Sequence, residues 1–150
     1  MKNRLIISVV VIVLAFFGLS YVTKSDTNCV NLYVDFGSLN AETKVEQCIE
    51  VSTETNALQL LKTAGYTTEG TQKYGDAVVC RLNGLPDKSV ETCEVMPPEN
   101  AFWAVIVKKK KLLPFFNDWG WAQTGINDVT LSSGDSLGLV FSTNGDLKWP

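Results

Sequence analysis

The sequence predicts an α+β domain in which one helix covers a sheet, preceded by a single apolar N-terminal helix. Three observations support this class. Several short segments have the composition of strands, and one of them, 30–36, alternates apolar and polar residues in period two. One segment places its apolar residues at helical spacing. The first 22 residues are almost entirely apolar after a basic start.

The N-terminal segment combines two positive charges, Lys2 and Arg4, with an apolar run of 18 residues over 5–22. A run of this length is near the minimum for a membrane-spanning helix and longer than a typical signal-peptide core. We favour an uncleaved signal anchor over residues 1–22. A cleaved signal peptide stays open, because Gly18 and Ser20 offer the small residues that a signal peptidase accepts. The basic start predicts that everything after the run is exported.

The exported part, residues 23–150, has the size of one compact domain. It carries 11 basic and 16 acidic residues, a net charge of −5, which disfavours nucleic acid as a partner. The expected location is the cell membrane, with a single pass and an extracellular C-terminal domain. The protein would be secreted if the segment is cleaved.

The first predicted elements are a hairpin and a helix. Residues 30–36 alternate in period two, and residues 44–51 can return beside them. Thr55 is the predicted N-cap of the helix, and Gly65 lies where a left-handed C-terminal residue belongs. The apolar positions of this helix are Ala57, Leu58, Leu61 and Ala64.

The remaining elements are strands. Residues 77–82, 101–107 and 119–123 are rich in apolar and aromatic residues, which favours strands. Gly134 and Asp135 form a predicted turn into a last strand over 136–142.

Four cysteines follow the apolar segment, in a compartment where disulfides persist. Cys29 and Cys48 are centred on turn-forming residues 37–40, and Cys80 and Cys93 on residues 83–87. A disulfide across a hairpin requires positions nearly symmetric about the turn, so we predict Cys29 with Cys48 and Cys80 with Cys93. The rival interpretation is a metal site. The wide spacing of the cysteines and the absence of histidine disfavour it.

The sequence offers almost no catalytic candidates, because a chain without histidine lacks the usual general base. We therefore predict a protein that is not an enzyme and has no cofactor. Asp76, Asp118 and Asp135 could act as a carboxylate pair, but turn and surface roles explain them better. A hydrolase that uses aspartate or cysteine stays as a third hypothesis.

The most distinctive stretch is residues 102–121, which contains six aromatic residues around four lysines at 108–111. If 101–107 and 119–123 are paired strands, Trp119 and Trp121 share a sheet face and Trp103 lies near them. Such a surface could stack on a flat ligand or a sugar. The other interpretation is that the rings form the core. The lysines, with residues 112–116, form either a solvated hairpin loop, which we prefer, or a loop that touches anionic lipid.

Several segments in a fixed order resemble one family. They are VDFG at 34–37, TNALQLLKTAGY at 55–66, GTQKYGDAVVCRLNG at 70–84, Pro97-Pro98 with Phe102-Trp103, and SGDSL at 133–137. Together they look like the small domain that resembles the C-terminal domain of transcobalamin and intrinsic factor. The likeness covers roughly residues 30–141.

This resemblance implies a β-grasp-like mixed or antiparallel sheet with one covering helix, in a secreted or surface-anchored protein. It also implies capture of a small molecule such as a corrinoid, a cobalamin-like ligand, linked to uptake by a transporter. The predicted ligand contacts, chosen from the aromatic geometry, are Tyr74, Phe102, Trp103, Trp119 and Trp121. The alternative function is a structural or interaction domain that docks another cell-envelope protein.

Overall fold

The computed structural model describes residues 28–40, 43–110, 118–145, 147 and 149–150. The predicted signal anchor at 1–22 and most of the predicted lysine-containing loop, residues 111–116, lie outside these residues. Within the part of the chain that is described, no helix is both long enough and apolar enough to cross a membrane.

The described chain is an α+β domain made mostly of strands, with one α-helix. In chain order its elements are β1 (Cys29–Asp35), β2 (Lys44–Glu50), β3 (Thr55–Asn56), α1 (Ala57–Thr63), β4 (Thr68–Glu69), β5 (Arg81–Leu82), β6 (Ala101–Lys108), β7 (Gly120–Trp121), β8 (Thr130–Leu131) and β9 (Ser136–Thr143). Five strands form the main sheet in the order β2-β1-β9-β6-β7. β1 and β9 are parallel at its centre, and the other pairs are antiparallel.

The predicted first hairpin is confirmed, since β1 and β2 pair antiparallel over seven positions. A short 3₁₀ turn, Gly37–Leu39, joins them. Gly37 has a positive φ of 53°, and a Cβ added there would lie 2.6 Å from the carbonyl oxygen of Phe141. Only glycine lets the hairpin turn lie this close to the end of β9.

Helix α1 forms where the sequence predicts it, but its N-cap differs by one residue. Asn56, rather than the predicted Thr55, accepts the capping hydrogen bond from the Leu58 amide through its side chain at 2.9 Å. Thr55 is in β3, where it pairs with Leu131. Gly65 follows the helix with a φ of +87°, as expected for a left-handed C-terminal residue.

The main core lies between α1 and one face of the large sheet. Its residues come from alternate positions of β1, β6 and β9 and from the helix, in agreement with the periodicities of the sequence. They include Val30, Leu32, Val34, Leu60, Leu61, Trp103, Leu137, Leu139 and Phe141. A smaller cluster on the opposite face consists of Tyr33, Ala104, Ile106 and Val140.

Two predicted strands are shorter than expected. Of residues 77–82 only Arg81–Leu82 is a strand, because Ala77 accepts a backbone hydrogen bond from Ile126 in a 3₁₀ turn instead of joining a ladder. Of residues 119–123 only Gly120–Trp121 is a strand, and the Ala122 amide adds one more hydrogen bond to β6, at Val105. The two-stranded ladders β3–β8 and β4–β5 were not predicted, since two residues carry no detectable period.

Both predicted disulfides are present. The Cys29–Cys48 bond is diagonal in the hairpin, because Glu50 is opposite Cys29 and Asn31 is opposite Cys48. The Cys80–Cys93 bond was predicted to cross a hairpin, but it does not. The chain turns after β5, but within the described residues no strand returns before β6. Two disulfides indicate an extracellular or secreted domain.

Candidate functional site

Strand β6 divides the aromatic residues of the sequence between the two faces of the sheet. Trp103 is only 4% exposed and faces the main core. There its ring meets Phe36 and Phe141 edge-on at 5.2 and 5.4 Å between centroids, and its indole N–H donates to the Leu85 carbonyl at 3.0 Å. Phe102 is its neighbour in the strand and therefore faces the opposite side. Trp103 is thus separated from the other predicted contact residues on this strand pair.

The opposite face carries three aromatic rings in contact, which we call the aromatic row: Phe102, Trp121 and Trp149. Phe102 and Trp121 are stacked, with centroids 6.2 Å apart and planes inclined by 27°. Trp149 meets Trp121 edge-on at 6.0 Å. Trp121 is 45% exposed and Trp149 46% exposed, whereas Phe102 is half-buried. The row therefore offers aromatic surface to solvent.

The strand pairing explains why the row forms. Trp121 is opposite Ile106 in the β6–β7 ladder, so its side chain joins the face that also carries Ala104 and Phe102. Phe102 packs against the small buried cluster on this face, and Trp119 and Leu147 pack against the same cluster. The row thus sits on ordered strands rather than on a free loop.

Trp119 occupies space that a glycine provides. A Cβ added to Gly138 in β9 would lie 2.5 Å from the Ile106 side chain and 3.2 Å from the Trp119 ring. Glycine in a strand interior often marks such a close approach. The Trp119 ring therefore lies close against the sheet and is half-buried.

A surface groove of about 500 Å³ opens on the face of the sheet that carries the aromatic row, and none of the three rings lines it. Trp119 forms one wall, and Pro150, the residue next to Trp149, forms another. The remaining lining comes from β1, β2 and the start of β9: Asn31, Leu32, Tyr33, Glu46, Gln47, Cys48 and Ser136. The groove thus combines an aromatic wall with amide, carboxylate and hydroxyl groups. That combination is typical of sites for small polar molecules with a flat or apolar face.

Tyr33 connects this groove to a buried charge. Its hydroxyl donates to Oδ2 of Asp35 at 3.3 Å. Burial raises the pKa of Tyr33, and the Asp35 charge raises it further. Tyr33 is therefore a neutral hydrogen-bonding group at neutral pH rather than a general base.

Tyr74, another predicted contact residue, lies in a separate turn. Its amide donates to Oγ1 of Thr71 at 3.0 Å, and Thr71 bridges to Gly75. The ring is 44% exposed, with the Lys73 ammonium 5.2 Å from its centroid. The ring contact of Tyr74 is thus with Lys73 and not with the aromatic row.

A small apolar cleft of about 180 Å³ adjoins the other side of Phe102. Val78, Val79, Met96, Pro97 and Glu99 line it together with Phe102 and Trp103. Met96 and its neighbour Val95 are both more than half exposed. Phe102 therefore contributes both to the aromatic row and to a second, more apolar depression.

Among the described residues, one group brings possible metal ligands together: Cys80, Glu91 and Cys93. The two sulfurs are joined in a disulfide. Metal ions in such sites bind thiolates, which a disulfide cannot supply. This group is therefore a structural crosslink as the protein stands.

Asp135, one of the three carboxylates considered for catalysis, has a structural position. It is buried and accepts hydrogen bonds from the amides of Ser132 and Lys110 at 2.9 and 2.8 Å. The Lys109 ammonium lies 2.9 Å from Oδ2. These contacts hold the turn before β9, as the sequence predicts. Asp76 and Asp118 are both exposed.

Sequence reasoning missed Trp149, which completes the aromatic row. The available signal was a lone tryptophan after the mostly polar residues 143–148. It has no period or partner along the chain, so only its position in space connects it to Trp121.

Comparison of the chain with models of protein families, with curated proteins and with solved structures found no match.

Proposed function

We propose that this chain is an extracellular, non-catalytic domain that binds a small molecule at the aromatic row and the adjacent groove. One observation carries the proposal: Trp121 and Trp149 touch each other while each remains nearly half exposed. Exposed apolar residues that touch one another, rather than lying scattered, are a feature of binding surfaces.

The exposure of these rings has a free-energy cost. At about 25 cal/mol per Å² of apolar surface, leaving nearly half of a tryptophan in water costs on the order of 2 kcal/mol. A single exposed ring is common and needs no explanation. Two such rings in contact, supported by Phe102 and an ordered sheet, favour a surface that a ligand covers.

The ligand class follows from the two parts of the site. A planar or ring-shaped face would stack on Trp121 and Trp149, as flat rings and sugars do on aromatic side chains. Polar groups on the same molecule would reach Asn31, Glu46 and Ser136 in the groove. A corrinoid is our named candidate. Because the chain has no histidine, the protein would hold a corrinoid by its edges and not through a histidine bound to cobalt.

Two observations support the choice of a corrinoid. One is the ordered set of segments that resembles the transcobalamin-like family. The other is the sheet, in which the first and last strands are parallel at the centre and one helix covers a face, an arrangement that fits a β-grasp-like domain. Because fold alone does not determine a ligand, the test below changes residues of the proposed site.

Residues 1–22 would hold this domain at the outer face of the membrane, where a captured ligand can pass to an uptake transporter. Cleavage after this segment would give a secreted binder instead. Intact-mass measurement of the native protein distinguishes the two, because cleavage removes about the first 20 residues.

The test is ligand binding by the full-length chain in detergent, measured by isothermal titration calorimetry. The panel contains cobalamin, cobinamide, haem, flavin mononucleotide and short oligosaccharides. We expect one of these classes to bind, and Trp121→Ala and Trp149→Ala each to weaken it at least tenfold. Val90→Ala, which truncates an exposed apolar residue outside the site, is the matched control. Binding by no class at millimolar concentration, or equal binding by Trp121→Ala, would reject the proposal.

The second candidate is an interaction domain that docks another envelope protein. Its supporting observation is the apolar cleft beside Phe102, with Met96 and Val95 exposed at its rim. Met96→Lys separates the two functions. It would abolish attachment to a protein partner at the cleft but leave a ligand bound at Trp121 unaffected.

A further inference from the structure

Strand β2 forms an edge of the main sheet. In the part of the chain that is described, it pairs with β1 and with no other strand. It is seven residues long, and the Cys29–Cys48 disulfide fastens it to β1. A long, fixed edge strand presents free backbone groups that can pair with another chain.

The hydrogen bonds to β1 identify the backbone groups that point outward. The Phe36 amide donates to Thr43, and the Val51 amide donates to Asn28. Antiparallel partners alternate between residues that bond to each other and residues that do not. Thr43, Val51 and the odd-numbered positions between them therefore bond inward, to β1. The outward amide and carbonyl groups belong to Lys44, Glu46, Cys48 and Glu50.

We propose that two copies of this chain pair antiparallel through β2, about a two-fold axis at Gln47. In this register each outward residue is opposite an outward residue of the other copy. Lys44 faces Glu50, Glu46 faces Cys48, and Gln47 faces itself. The two sheets then continue as one sheet of ten strands. The proposal does not require the ligand-binding function, although β2 also supplies Glu46, Gln47 and Cys48 to the lining of the groove.

Charge selects this register over its neighbours. Moving the axis to Glu46 places that carboxylate opposite its own copy. Moving it to Cys48 places Glu46 opposite Glu50. Like charges directly opposite each other destabilise a strand pair, whereas opposite charges stabilise it. With the axis at Gln47, the ladder contains two Lys44–Glu50 pairs and no pair of like charges. Each Lys44 already lies 3.0 Å from Asp35 of its own copy, so Glu50 would join an existing ion pair.

The other face of β2 fits the same register. Val45 and Ile49, both half-buried, point toward the α1 side of the sheet. With the axis at Gln47, Val45 of each copy is opposite Ile49 of the other. Apolar side chains that are half exposed in one copy would thus cover each other. One face of the ladder gains ionic pairs and the other gains apolar pairs.

The contact can be trapped at its axis. Gln47 would face its own copy at a non-hydrogen-bonded pair, where Cα atoms are about 4.5 Å apart, within the range that disulfides span. We expect full-length Gln47→Cys to form a disulfide-linked dimer on mild oxidation, seen on a non-reducing gel. Gln59→Cys, the same substitution at an exposed position of α1, is the control. Equal crosslinking of the two variants would overturn the proposal.

The register is tested by charge in the Gln47→Cys background. Glu50→Lys places two lysines opposite each other and should reduce the dimer yield at least tenfold, while Glu50→Gln should reduce it partly. Glu94→Lys makes the same change at an exposed site away from β2. Near-ultraviolet circular dichroism confirms that each variant is folded. If Glu50→Lys and Glu94→Lys give equal yields, the proposed register is wrong.

Discussion

The Lys44 ammonium lies 3.0 Å from Oδ2 of Asp35, a carboxylate that is only 2% exposed. The Gly37 amide also donates to Asp35, at 2.8 Å, and the Tyr33 hydroxyl does so at 3.3 Å. Burial by itself would raise the pKa of Asp35. The three donors outweigh it and hold the pKa below its ordinary value. The ionised form of Asp35 therefore holds the turn of the first hairpin, through Gly37, and the start of β2, through Lys44.

Acid should weaken the fold through Asp35. A carboxyl group with a lowered pKa stabilises the folded state above its unfolded pKa, and this contribution is lost as pH falls through the folded pKa. We expect Asp35→Asn to lower the free energy of unfolding by about 2 kcal/mol at pH 7, the scale of hydrogen bonds to a charged group. The difference from the native chain should shrink below about pH 4.

Urea unfolding at pH 7 and pH 3 measures this difference. Asp76→Asn, which neutralises an exposed carboxylate, serves as the control and should change little at either pH. A loss of stability in Asp35→Asn that is the same at both pH values would show that the charge of Asp35 is not the cause.

A second ion pair is asymmetric in exposure. The Arg81 side chain is 2% exposed, while that of Glu69, 2.6 Å away, is 48% exposed. The Arg81 guanidinium also donates to the Glu91 carbonyl. The hydrogen bond from the Arg81 guanidinium to the Glu69 carboxylate holds the pKa of Glu69 below its ordinary value. The two partners should therefore respond differently to substitution.

We expect Glu69→Gln to lower the Tm more than Arg81→Met does. The first change leaves a buried guanidinium without its counter-charge, whereas the second replaces it with an apolar side chain and leaves Glu69 in water. Thermal unfolding at pH 7 followed by circular dichroism measures both, with the exposed Glu99→Gln as the control. A larger loss in Arg81→Met would mean that the hydrogen bond to Glu91 dominates.

The Cys80–Cys93 disulfide should stabilise a region that has little other regular structure. It spans 13 positions in sequence, and residues 83–100 contain no strand or helix. We expect Cys80→Ala with Cys93→Ala to cost about 3 kcal/mol of stability, by the chain-entropy estimate. Amide exchange should also increase in residues 83–100, because only a few backbone hydrogen bonds remain there.

Hydrogen exchange with mass spectrometry reads out this local effect. The matched control is Cys29→Ala with Cys48→Ala, which removes a crosslink that lies within a paired hairpin. That control should lose similar overall stability but leave exchange in 83–100 unchanged. If both double variants show the same exchange pattern, the two disulfides stabilise the domain globally rather than locally.

The long strands could be predicted from the sequence because each is long enough to carry a signal: alternation in β1, and a run of apolar and aromatic residues in β6. β1, β2, β6 and β9 have seven or eight residues and were predicted within one or two positions. The two-residue strands β3, β4 and β8 have no room for a period. They form because the tertiary fold brings their partners together.

The cysteine spacing predicted both disulfides, but the geometric argument holds for one of them. A symmetric centre on turn residues is equally compatible with a hairpin and with an irregular loop. For Cys80 and Cys93 the chain forms the loop. Both pairings were therefore predicted correctly, but the hairpin geometry used to predict them exists only for Cys29–Cys48.

The site was harder to predict than the fold. Period two puts Phe102 and Trp103 on opposite faces, but both faces of β6 are apolar, so the sequence does not say which one the helix covers. The contact of Trp121 with Trp149 joins residues that no local pattern relates. Both facts depend on tertiary packing.

The two faces can be separated with a single type of substitution. Trp103→Phe removes the hydrogen bond to Leu85 and part of the contact with Phe36 and Phe141. We expect it to cost about 2–3 kcal/mol of stability, as for a buried ring that loses both volume and a hydrogen bond. Trp121→Phe keeps an exposed ring and should change stability by less than about 0.5 kcal/mol.

Urea unfolding gives the two free energies, and acrylamide quenching reports which tryptophan each variant has lost. Trp103→Phe should leave fluorescence that acrylamide quenches more strongly. The three remaining indoles, at 119, 121 and 149, are all more exposed than that of Trp103. Trp121→Phe should leave fluorescence that acrylamide quenches less strongly. An equal stability loss in the two variants would place Trp121 in the core. The aromatic row would then offer only Trp149 as an exposed ring, and the proposed binding face, which needs two exposed rings in contact, would have to be abandoned.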